Sequence, residues 1–68
     1  MKPLFIKLTT VGNNREIHLN VASIMGFYNR AEDNHTLVDC GSENYWNVKE
    51  DPDKILELIR EAVYAQAD

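Results

Sequence analysis

The stretch that begins Asp51-Pro52-Asp53 is the one part of the chain with a helical period. Ile55, Leu58, Ile59, Ala62 and Val63 recur every three or four residues and make one apolar stripe, which Leu56 widens. Lys54, Glu57, Arg60 and Glu61 fall on the opposite side. Asp51 is a good N-cap, Pro52 suits the first helical position, and Asp53 places a negative charge at the positive end of the helix dipole. These features predict a helix over about 52–65, with Gln66-Ala67-Asp68 fraying. A one-sided helix must bury its stripe on another element, which the rest of the chain has to supply.

That remainder alternates with the period of a strand. In Leu4-Phe5-Ile6-Lys7-Leu8-Thr9-Thr10, Ile6 and Leu8 fall on one side and Lys7 and Thr9 on the other. Gly12-Asn13-Asn14 tolerate positive φ and predict a hairpin turn. Ile17 and Leu19 then alternate with Glu16 and His18. Asn20-Val21-Ala22-Ser23 reads as a tight corner or a single helical turn capped by Asn20. Further strands follow at about 24–30, 36–40 and 45–49, after first strands at about 4–10 and 15–20. Gly26 inside a strand suggests a bulge or a close backbone approach. Ala31 to His35 reads as a polar loop and Gly41 to Asn44 as a turn. The expected fold is α+β: an antiparallel meander of four to five short strands, then one C-terminal helix packed on one face. That face should carry Ile6, Leu8, Ile17, Leu19, Trp46 and Val48.

The chain has 68 residues, which predicts one small domain with a thin core. Seven Lys and Arg stand against eleven Asp and Glu, a formal net charge of −4 with no basic cluster. Such a balance disfavours duplex DNA and anionic membranes, whose phosphates are met by Lys and Arg. No apolar run approaches the roughly 20 residues that span a bilayer, and the first residues lack the pattern of a signal peptide. Cys40 is the single cysteine. That excludes an internal disulfide and suits a reducing, cytoplasmic compartment. Without a signal-peptide pattern, the sequon Asn34-His35-Thr36 is not expected to carry sugar.

Candidate chemistry is sparse. His18, His35, Asp39, Cys40 and Glu50 could ligate a metal, but none has a standard ligand spacing, so no metal or cofactor is expected. Cys40 with His35 could in principle form a thiolate–imidazolium pair, but Cys40 beside Leu37 and Val38 reads better as a small hydrophobe. Asp51 and Asp53 are explained by the helix start, and the other carboxylates by a solvated acidic surface. The aromatic residues say more. Phe27-Tyr28 and Tyr45-Trp46 are adjacent pairs, so one member of each must face away from the helix. Met25 shares a side with Phe27 in a regular strand, unless a bulge at Gly26 intervenes. Met25, Phe27, Tyr28 and Tyr45 are therefore the candidate partner-binding residues, because Tyr and large apolar side chains favour protein contacts. The expected partner is a second copy of the chain, joined by the open face or an edge strand.

A family resemblance accompanies this pattern. Its residues are Ile6-x-Leu8-Thr9, the turn Gly12-Asn13, Ile17-x-Leu19-Asn20, Ile24, Thr36-Leu37 before Gly41, and Val48-Lys49-Glu50 ahead of Ile55, Leu56, Leu58 and Ile59. Together they resemble the small FlbD/SwrD-type bacterial proteins found near flagellar operons, over about residues 4 to 62. The resemblance implies a non-catalytic accessory role in bacteria and transfers no catalytic residue. The alternatives that the residues leave open are a nucleic-acid-associated regulator, with aromatics on a sheet stacking on bases, and an enzyme built on Cys40 and His35.

Overall fold

The computed structural model describes residues 4–65, so the expected fraying of 66–68 lies outside it. Strands β1 (Phe5–Thr9) and β2 (Glu16–Asn20) form one antiparallel hairpin. Strands β3 (Gly26–Arg30), β4 (His35–Asp39) and β5 (Tyr45–Val48) form a three-stranded antiparallel meander. The helix α1 (Pro52–Ala65) follows and packs on β1 and β3. The fold is α+β, as the two hydrophobic periods require. His35 belongs to β4 and not to the preceding loop, and Cys40 lies one residue past the end of that strand.

The strands divide between two sheets instead of forming one. The sheets touch where Thr10 bridges Val48. There Val11 N–H donates to the Asn47 carbonyl at 2.9 Å, and Lys49 N–H donates to the Thr9 carbonyl at 2.9 Å. The Glu50 carboxylate adds a two-pronged clamp: it accepts from Thr9 N–H at 2.9 Å and from Thr9 Oγ1 at 3.0 Å. Glu50 is half-buried, so it is a tie between sheets, and the expectation of a solvated acid is corrected here.

The turns form where local chemistry directs. Gly12 and Asn14 take φ of 95° and 54°, and Thr10 knits the β1–β2 hairpin by accepting Arg15 N–H through Oγ1 at 3.1 Å. Val21–Ser23 is a single 3-10 turn, capped by Asn20 Oδ1 at 2.9 Å from Ala22 N–H. Asp51 Oδ1 accepts from Lys54 N–H at 2.8 Å, so α1 starts at the expected cap. Met25 N–H donates to the carbonyl of Asp39, although Gly26 is the residue opposite Asp39. Two consecutive residues thus address one partner, the signature of a bulge at the start of β3. A Cβ on Gly26 would meet nothing within 4 Å, so close backbone approach is not its purpose.

The buried core is Ile6, Leu8, Val38, Val48 and Ile55, drawn from β1, β4, β5 and α1. Ile17, Leu19, Val21, Ile24, Phe27, Cys40, Leu58, Ile59 and Ala62 pack around it. Three members of the expected apolar surfaces do not join. Trp46 lies opposite buried Val38 yet remains 39% exposed at the sheet's rim. Leu56 and Val63 are likewise exposed, because α1 dips deepest at Ile55 and its flanks diverge from the strands.

Candidate protein-contact face

Register sorts the aromatic residues. In β3–β4–β5, Phe27, Val38 and Trp46 are aligned across the strands, as are Thr36 and Val48, and this side faces the core. The other side carries the rows Tyr28–Leu37–Asn47 and Gly26–Asp39–Tyr45, with Arg30 opposite His35. Tyr28 is 56% exposed and Tyr45 58%. Leu37 is half-buried between them, directly opposite Tyr28 and on the diagonal from Tyr45, the two positions where side chains touch across strands. The pairwise split of aromatics is as the sequence predicts: Tyr28 and Tyr45 point outward.

Of the four predicted contact residues, three are available to a partner. Phe27 is not, because it packs against the core. Met25 is 76% exposed, and its thioether lies over Gly41 in the β4–β5 turn, where a Cβ would come within 2.8 Å of Sδ. The bulge separates Met25 from Phe27 and turns it outward. Below it, Gly41, Ser42 and Glu43 all have positive φ, of 81°, 52° and 65°. Two of these are not glycine, so the turn holds local strain beside the exposed residues.

Polar groups on this face are tied to it. His35 Nε2 lies 3.1 Å from Asn47 Oδ1 on the neighbouring strand β5, with the tautomer setting which is donor. Asp39 Oδ1 accepts from Gly41 N–H at 2.8 Å and fixes the turn. Arg30 Nε lies 3.5 Å from Asp33 Oδ2, an exposed pair across the β3–β4 loop. An open hollow of about 290 Å³ at this end is lined by Tyr28, Arg30, Ala31 and Glu32. It is too open to enclose a small molecule in the manner of a ligand pocket.

The alternative centres do not assemble. His35 starts β4 and Cys40 follows its end, so the five-residue rise of about 16 Å keeps them apart. Burial, and then the neighbouring Asp39 carboxylate, push the Cys40 thiol upward, which disfavours a thiolate. Among the described residues, no three His, Cys, Asp or Glu side chains gather as a metal site. No described helix is long and apolar enough to cross a membrane. Comparison of the chain with protein-family models, curated proteins and solved structures finds no match to any of them.

Leu37 and Asp39 are the parts of this face that the sequence reading passed over. Their alternation with Thr36 and Val38 was visible, but a leucine in a short strand reads by default as core. Only the register, with Tyr28 opposite, reassigns it.

Proposed function

We propose that this chain is a small non-catalytic interaction module, an accessory protein whose contact surface is the outer side of β3–β4–β5. The observation that carries the reading is the patch formed by Tyr28, Leu37 opposite it and Tyr45 on the diagonal, on a sheet side that α1 leaves uncovered. Tyrosines give a partner large contact area at small entropic cost, and the strands beneath hold them in place. Its partner is a second copy of the chain, because a core of five buried apolar residues among those described makes a thin interior and association adds burial. The resemblance to FlbD/SwrD-type proteins favours a motility-related accessory role in the bacterial cytoplasm.

The same face carries Arg30, a cation of the kind that the nucleic-acid reading needs. Arg30 already faces Asp33, and Asp39 lies in the same sheet, so the local field is not that of a phosphate-binding groove.

The reading predicts reversible dimers of the purified protein at tens of micromolar, the range expected of a small interface. Replacing both aromatics, Tyr28→Ser with Tyr45→Ser, should weaken association about tenfold or more while circular dichroism and melting stay near wild type. Light scattering that finds equal association in wild type and double variant would contradict the proposed surface.

A further inference from the structure

β3 has a strand neighbour on one side only, since the sheet order is β3-β4-β5. Its last three residues, Tyr28, Asn29 and Arg30, are exposed. An unpaired edge of this kind offers backbone donors and acceptors to another strand. We propose that two copies of the chain join by antiparallel pairing of β3 with β3 about a two-fold axis at Tyr28, giving one continuous six-stranded sheet. This inference rests on the interaction-module reading and places the join at the Tyr28 edge of that face, with Tyr45 on β5 two strands away from it.

Self-complementarity argues for this register. In it, Tyr28 meets Tyr28 of the second copy, and Gly26 lies opposite Arg30 of the second copy. Gly26 has open space where a side chain would be. Its neighbour on the far side is the exposed Asp39. Arg30 of the second copy would therefore lie across the glycine from a carboxylate, two strand spacings or about 10 Å away between Cα atoms. An arginine and an aspartate side chain together span that gap. The symmetry makes the contact twice, one Arg30–Asp39 pair on each side of the tyrosines.

Other registers lose the match. Centring on Phe27 puts Arg30 opposite Ile24, and centring on Asn29 puts it opposite Tyr28 with Leu37 beyond. Of the other edges, β1 and β5 meet each other around the Thr10–Val48 bridge, and β2 carries Glu16, His18 and Asn20 on its outward side, where self-pairing would match acid with amide and imidazole with imidazole. Arg30 must release Asp33 to make the new pair. That contact is long at 3.5 Å and exposed on both sides, so it costs little to exchange.

Charge reversal with mixing tests the pairing. Arg30→Glu alone faces Asp39, and Asp39→Lys alone faces Arg30, so each variant should dimerise about tenfold or more weakly than wild type. Mixed in equal amounts, the two restore an opposite-charge pair on both sides of the axis and should form a heterodimer visible by native mass spectrometry. Because Asp39 also caps Gly41, Asp39→Asn serves as the milder variant, which keeps an acceptor for the turn and should weaken dimers a few-fold. Dimers that persist in both reversals, or that mixing fails to restore, overturn the edge pairing and leave the interaction face standing. Wild-type protein that stays monomeric at every concentration overturns both.

Discussion

Thr36 is the residue whose chemistry least fits its place. It is fully buried opposite Val48, and its hydroxyl has no hydrogen-bond partner. A buried hydroxyl without a partner costs free energy that an isosteric methyl does not. Thr36→Val should therefore raise stability by about 1 kcal/mol in urea denaturation. A loss of similar size would show that the hydroxyl is bonded in the core. At this scale the sequence was only partly legible. Asp51, Asn20, Gly12 and Asn14 declared themselves, because capping and positive φ depend on a few neighbouring residues. Glu50 and Thr36 did not. The Glu50 clamp on Thr9 spans 41 positions, and nothing local distinguishes a carboxylate that turns back onto a backbone N–H from one in water.

Among elements, the helix was the most readable and its depth the least. Its bounds follow from Asp51, Pro52 and the stripe, and α1 covers Pro52–Ala65 as expected. Periodicity ranks Ile55, Leu58, Ile59, Ala62 and Val63 as equals. The structure buries Ile55 completely, leaves Leu58, Ile59 and Ala62 half-buried, and exposes Val63. A straight helix meets a twisted, two-part sheet along one short segment, so burial falls away from the point of closest approach. Ile55→Ala should cost about 2–5 kcal/mol, and Ile59→Ala at most about 2 kcal/mol, read from urea midpoints at constant m-value. A larger loss at Ile59 than at Ile55 would mean that the stripe docks further along. Trp46 follows the same logic: alternation placed it on the core side, and the edge of the sheet exposes it there.

At the scale of the whole molecule, the sequence indicated an α+β order of elements but not the division of its strands. Hairpin partners are neighbours in the chain and can be read from turns. The single bridge between Thr10 and Val48 depends on how two sheets curve toward each other, and no local pattern encodes that. The result is a small core enclosed by two sheets and a helix, with one sheet side and the β3 edge left uncovered. Association through that edge would extend the sheet and shelter Tyr28, completing a surface that one copy cannot cover. Amide hydrogen exchange at low and high protein concentration tests this most directly. The account predicts that exchange across Gly26–Arg30 slows as concentration rises, while β2 at the other edge is unchanged. Exchange in β3 that is independent of concentration, or protection that develops on β2 or α1 instead, would contradict it.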